Sequence, residues 1–292
     1  MAKNIPLIVV HKGKQDYLKA CISSIEEFHD LFLLGNDDNK SFTKHWVDFD
    51  GLKNHYFNDF DAAYEHMSTN SPVFEKICFY RYLAMYEFAK HANLDEFIHC
   101  DSDIIILNDC RPLFNKLPSY GAAFFIPKNQ ENYRLTASPH FSYWKTDVLK
   151  EFIEFFIKIY AEKSDELTNK YNYHVRNNIP GGICDMTLLY LFAQNRSDIF
   201  NFIEEDNYYL NFNVSTLEHN ELNRNELIFN DNYKVINGEL YYNDNGCNKK
   251  VLLLHMQGRA KKFVKYAKNK KFRKLFICIS LLNLLRKINN KL

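Results

Sequence analysis

The chain has 292 residues, of which 46% are apolar and 16% aromatic, and a formal net charge of +1. That composition excludes disordered and low-complexity proteins and leaves apolar surface for one large domain or two small ones. Seven scattered cysteines, with no Cys-x-x-Cys pair, argue against a disulfide framework or a zinc site and for a reducing cytoplasm.

Ile5 to Val10 predicts a buried first strand, followed by the polar turn His11-Lys12-Gly13-Lys14. Tyr17 to Phe28 has helical spacing, with Leu18, Cys21, Ile22, Ile25 and Phe28 on one face. Leu31 to Leu34 is a second strand, ending in Gly35-Asn36-Asp37-Asp38. Strand, helix and strand with polar strand ends predict an α/β fold with a mixed, mostly parallel sheet, in which ligands bind beyond the carboxyl ends of the strands. Val73 to His91 reads as a long helix, with Ile77, Tyr80, Leu83, Ala84 and Phe88 at core spacing. Gly121 to Ile126 is expected as a strand, Val148 to Tyr160 as an amphipathic helix, and Pro180-Gly181-Gly182 as the lead into an apolar helix over Leu188 to Phe192. Short strands are expected at Leu227 to Phe229 and Tyr233 to Ile236, and Val251 to Leu254 is the last core strand.

Two segments carry chemistry. Phe97 to Leu107 is an apolar strand interrupted by Asp101-Ser102-Asp103. Carboxylates beside a buried strand are costly unless compensated, and Mn²⁺ or Mg²⁺ would compensate them while sharing its ligands with a diphosphate. The bland alternative is a strand end with two solvated acids. The strand Val251 to Leu254 ends in His255-Met256-Gln257-Gly258-Arg259-Ala260-Lys261. There His255 could complete a metal site with Asp103, Gly258 could admit a phosphate close to the backbone, and Lys261 could neutralise a leaving group. A satisfied structural histidine is the alternative for His255.

Asp101-Ser102-Asp103 paired with a late His255-x-x-Gly258-x-x-Lys261 resembles the GT-A-fold glycosyltransferases, most closely family 8, over roughly residues 5–262. The resemblance implies a single GT-A (Rossmann-like) domain over 1–258. It implies a metal ion, Mn²⁺ or Mg²⁺, on Asp101, Asp103 and His255, and a UDP-sugar donor whose diphosphate meets Lys261. Phe79-Tyr80-Arg81-Tyr82-Leu83 looks like the family's Tyr-x-Arg-Leu helix, which implies Arg81 at the donor sugar or diphosphate. Gly182-Ile183-Cys184-Asp185-Met186 resembles its acidic loop, although the family's Asp-Gln-Asp is absent, as is the Pro-Trp that usually follows the late lysine. Asp185 is then the candidate base of an inverting reaction or the sugar-positioning group of a retaining one, retention being favoured. A helix N-terminal role for Asp185 is the alternative. Val10, His11, Lys12, Asn36, Asp37 and Ser102 are candidates for the nucleoside, with a solvated turn as the alternative at Asp37. His140, Tyr143 and Trp144 are candidates for an acceptor platform, with a core role as the alternative for Trp144.

From Arg259 onward the chain holds 12 basic and no acidic residues, leaving 25 basic against 36 acidic before it, a net of −11. Leu275, Ile279, Leu282 and Leu285 fall at helical spacing among Lys and Arg. Residues 259–292 are therefore expected as a basic amphipathic helical tail on an anionic membrane surface, with no nucleic-acid motif to suggest RNA. A helix packed on the body is the alternative. No stretch approaches the roughly 20 apolar residues of a membrane span, and no signal peptide is visible. The expected protein is cytoplasmic, peripheral at the inner face of the membrane, and acts on a glycan or lipid-linked glycan of a bacterial surface polysaccharide or lipopolysaccharide. Rival readings are a haloacid-dehalogenase phosphatase, disfavoured by Ile105 and the late position of the motif, and a sugar-binding scaffold without turnover.

Overall fold

The computed structural model describes residues 5–212, 214 and 232–289, with side chains as far as Leu282. The expected strand Leu227 to Phe229 and the side chains of Leu285, Arg286, Lys287 and Lys291 lie outside the described residues. In chain order the first half comprises β1 (Leu7–Val10), α1 (Asp16–Ile25), β2 (Leu31–Gly35), β3 (Trp46–Asp48), α2 (His55–Ala63), α3 (Pro72–His91), β4 (Glu96–Cys100), β5 (Ile104–Ile106), α4 (Arg111–Phe114) and β6 (Ala122–Phe125). The second half comprises β7 (Ser138–Lys145), α5 (Thr146–Ala161), α6 (Asp165–Arg176), α7 (Asp185–Ala193), β8 (Ile199–Asn201), β9 (Tyr208–Leu210), β10 (Tyr233–Ile236), β11 (Glu239–Asp244), β12 (Cys247–His255), α8 (Val264–Lys268) and α9 (Phe272–Asn289).

Seven strands form the main sheet in the order β3-β2-β1-β4-β7-β6-β8. The pairs β2–β3, β1–β2, β1–β4 and β6–β8 are parallel, and only β7 runs against its neighbours. The expected α/β architecture with a mixed, mostly parallel sheet is the one observed. α3 forms because Ser71 caps it, its Oγ accepting from the Phe74 amide, and Pro72 starts it. Its buried side packs Phe79, Leu83, Ala84 and Phe88 against one face of the sheet with α2 and α5. Two members of the expected stripe differ: Tyr80 is half-buried, and Ile77 is exposed, on the side of α3 away from buried Glu75 and Phe79. α1 covers the opposite face through Leu18, Cys21, Ile22 and Ile25.

A second sheet, β10-β11-β12-β5, with β9 alongside β12, packs its own core against α8 and α9. Here the expectation for the tail changes. Leu275 and Ile279, read as a membrane-facing stripe, are fully buried against Val251, Leu254 and Met256. The apolar face of α9 has found its partner in the chain's own second sheet, and Lys268 and Lys270 pair with Glu27 and Glu239. Ile277 and Leu281 remain exposed on the other side of the helix. Among the described residues, no helix is long and apolar enough to cross a membrane.

Candidate active site

β4 delivers the acidic motif and β5 carries the chain away from it. The Asp101 amide donates to the His140 carbonyl of β7 at 2.8 Å, and the Ile104 amide turns back to the Asp101 carbonyl at 3.1 Å. The chain then enters the second sheet, where antiparallel pairing sets Ile104 opposite His255. The Met256 amide donates to the Asp103 carbonyl at 2.9 Å. Two segments far apart in the sequence are thus brought together by strand register.

Ligand atoms of Asp101, Asp103 and His255 lie within 4.8 Å of one another. The His255 Nδ1–H donates to the Phe212 carbonyl at 2.6 Å, which directs Nε2 to Asp103 Oδ1 at 3.4 Å. An outer partner of this kind fixes tautomer and ring orientation in metal sites. His140 stacks flat on His255, centroids 4.4 Å apart and 7° from parallel, and is backed in turn by Phe125 at 4.2 Å. Lys261 Nζ reaches Asp103 Oδ2 at 3.1 Å and lies over the Tyr17 ring at 4.7 Å. Burial works against the charge on Asp103, yet His255 and Lys261 hold its carboxyl well below the ordinary range. Burial and the neighbouring Asp103 charge push Asp101 up, against the pull of Arg81. Two carboxylates and one imidazole nitrogen, converging without a hydrophobic wall between them, are a donor set that suits Mn²⁺ or Mg²⁺.

Arg81 joins this cluster to the acidic loop. Its Nη1 donates to Asp101 Oδ1 at 2.8 Å and its Nη2 donates to Asp185 Oδ2. The Tyr82 hydroxyl adds a second bond to Asp185 Oδ2 at 3.0 Å. Asp185 is the first residue of α7 and is buried, and the N-cap residue Cys184 makes no side-chain capping bond. Its carboxylate is thus spent on Arg81 and Tyr82 rather than on the helix end. The loop before it needs glycine at position 182: φ is +124°, and a Cβ would meet the Met67 carbonyl at 2.3 Å.

The nucleoside candidates sit together at the ends of β1, β2 and β4. His11 Nδ1 meets Ser102 Oγ at 2.9 Å, and burial pushes its pKa down. Asn36 is half-buried, accepting from the Gly13 amide at 2.8 Å and donating to Asp38 at 2.9 Å, while Asp37 is exposed. Lys12 is engaged by Asp50 at 3.0 Å and lies over Phe49 at 4.5 Å; Val10 is half-buried at the strand end. Gly258, at φ +61°, opens the turn carrying Lys261, and a Cβ there would meet nothing, so backbone conformation rather than packing calls for glycine.

The acceptor candidates require correction. Tyr143 and Trp144 are fully buried in β7, whose two faces meet two different cores, with the Tyr143 hydroxyl on Glu96 and the indole N–H on Ser142. His140 is buried against His255 and offers no ring face to a sugar. Residues that sequence reasoning missed include Asn39, which is fully buried and donates to the His11 and Gly13 carbonyls at 2.8 and 2.9 Å. Lys170 on α6 is another: it is buried and donates to the Arg134 and Leu135 carbonyls and the Thr187 hydroxyl, tying the connection before β7 to α7.

The fold is similar to that of solved glycosyltransferases. Xyloside xylosyltransferase 1 from mouse, in its apo form, superposes with a TM-score of 0.50 at 12% identity, over 68% of this chain and 84% of that one. The chain has the GT-A fold. A glycosyltransferase involved in the glycosylation of the major capsid of PBCV-1 aligns over 91% of this chain and 99% of its own, at 11% identity and a TM-score of 0.44. The galactosyltransferase LgtC, in complex with donor and acceptor sugar analogues, aligns over 68% and 73% at 11% identity and a TM-score of 0.37. No protein-family model matches the chain, and no curated protein matches it. On the GT-A fold, the end of β4 and the end of β12 carry the Asp101, Asp103 and His255 cluster.

Proposed function

We propose that this protein is a metal-dependent glycosyltransferase that moves a sugar from a UDP-sugar to a hydroxyl of a glycan acceptor. The observation that carries the reading is the Asp101, Asp103 and His255 cluster, joined through Arg81 to Asp185. Asp101, Asp103 and His255 would hold Mn²⁺ or Mg²⁺, which when bound supplies Lewis-acid stabilisation to the departing nucleoside diphosphate. Lys261 adds a positive charge on the same side, and its partner Asp103 keeps it protonated there. His11, Asn36 and Ser102 fit the nucleoside at the strand ends, where α/β sheets take ligands.

Arg81 orients Asp185 by gripping Oδ2 together with Tyr82. A carboxylate so tightly held favours positioning of the donor sugar, and hence a retaining outcome, over proton abstraction from the acceptor. The acceptor in this reading is a lipid-linked glycan of a bacterial surface polysaccharide or lipopolysaccharide, met at the inner face of the membrane. In support, Arg259, Lys262, Lys265, Lys271, Arg273 and Lys274 are exposed, a cluster that suits an anionic surface.

The test is calorimetry of UDP, GDP and CMP binding with and without Mn²⁺, on the wild type and Asp103→Ala. UDP binding that needs both the metal and Asp103 is expected. A folded wild type that binds no nucleotide in a metal-dependent way would rule the reading out.

A further inference from the structure

Val73, Phe74 and Ile77, on the first turns of α3, are 75%, 57% and 37% exposed. Phe74 and Ile77 stand seven and four residues before Arg81, so helical periodicity puts them on the face that Arg81 occupies. Arg81 bonds Asp101 and Asp185, which turns that face toward the candidate site. At a rise of 1.5 Å per residue the apolar stripe runs about 10 Å outward from the guanidinium. On the neighbouring helix, Met186 follows Asp185 directly and is 38% exposed. The two helix entrances are tied together by the Ser68–Gly182 bridge and by the Ile183 amide on the Met67 carbonyl at 2.8 Å. Exposed large apolar side chains grouped beside a cleft mark an interaction site rather than chance exposure.

We infer that the acceptor carries an apolar aglycone beside its reacting hydroxyl, and that this group lies along Phe74 and Ile77. The inference rests on the functional reading above and specifies the substrate class of that site. Continuity decides the occupant. An acceptor whose hydroxyl meets the Arg81–Asp185 pair places the group attached to it on this same helix face, where Ile77 and Phe74 are the next residues outward. A bare sugar offers too little apolar surface to cover two helical turns, whereas an alkyl or aromatic aglycone covers them.

The experiment compares transfer from the UDP-sugar to matched octyl and methyl glycosides of several hexoses, below micelle concentration. It uses the full chain and the surface variant Phe74→Ser/Ile77→Ser, with Mn²⁺-dependent UDP affinity measured in parallel. The octyl compound should exceed its methyl partner by about tenfold in kcat/KM. In the variant that ratio should fall toward one while UDP affinity is unchanged. Intact UDP binding with equal kcat/KM for the pair, or a preference that survives in the variant, would overturn this inference alone. So would a wild-type dimer, seen by sedimentation, that the variant dissolves. Absence of metal-dependent UDP binding would overturn the functional reading and this inference with it.

Discussion

The Met256 amide donates to the Asp103 carbonyl at 2.9 Å, and this one bond locks the end of β12 to the acidic turn beyond β4. The side chains of Asp103 and His255 therefore face each other by backbone register, and the ring behind His255 decides how firmly.

His140 supplies that ring. His140→Ala removes a parallel stack at 4.4 Å without touching a ligand atom. Outer partners of metal ligands typically contribute 10- to 100-fold in affinity. Mn²⁺ titration followed by electron paramagnetic resonance should show about tenfold weaker binding by His140→Ala and near-native binding by His140→Phe, which keeps the stack.

Arg81 holds two carboxylates with one guanidinium. Arg81→Met strands buried Asp185 beside Asp101, and breaking a buried pair from one side costs about 3–5 kcal/mol. Urea denaturation should show a loss of that order. Adding Asp185→Asn should restore a large part of it without restoring turnover, because the coupling between the residues is then absent from both states.

Burial pushes the Lys170 ammonium down to about 8, from an ordinary value of 10.5. Between these pH values the unfolded chain binds a proton that the folded protein has released, so stability rises with pH across this window. Below pH 8 both states are protonated and the burial penalty is present in full. Relative to Lys170→Met, the wild type should gain about 3 kcal/mol between pH 7.5 and 10.5, from 1.36 kcal/mol per pH unit. Denaturant midpoints at pH 7.5, 9 and 10.5 measure this, and a constant difference would show the amine to be solvated.

Gly182→Ala places a methyl group 2.3 Å from the Met67 carbonyl at a φ of +124°. The Ser68–Gly182 bridge must open, and with it the path of the chain into Asp185. Loss of at least tenfold in kcat with UDP affinity within twofold is expected, since the residues proposed for the nucleoside lie on other strands.

The ends of β1, β2, β4 and β12 could be read in the sequence because apolar runs that stop at polar residues reveal where a parallel sheet opens. Asp101, Asp103 and His255 stand at or just past such a stop, and Lys261 lies in the turn that follows β12. Tyr143 and Trp144 were misread because an aromatic pair next to a polar residue looks the same whether it faces solvent or a second core. Ile77 failed for a different reason: a nearly all-apolar helix gives no clear stripe, and Ile77 stands on the side away from buried Glu75 and Phe79. Leu275 and Ile279 show a third limit. An amphipathic face announces that it needs an apolar partner, and the sequence does not say whether that partner is lipid or β12. Asn39 and Lys170 left no signal at all, since the carbonyls they grip belong to distant segments.

The pairing of β5 with β12 has a consequence for how activity appears during synthesis. The main sheet holds only residues from the first 201 positions, and so can form while β12 is still being made. Asp103 then waits for His255 and Lys261, a long-range contact of the kind that slows folding. An interrupted nascent chain would therefore carry the acidic turn without its basic counterpart, and the assembled cluster arrives as a single late event rather than by degrees.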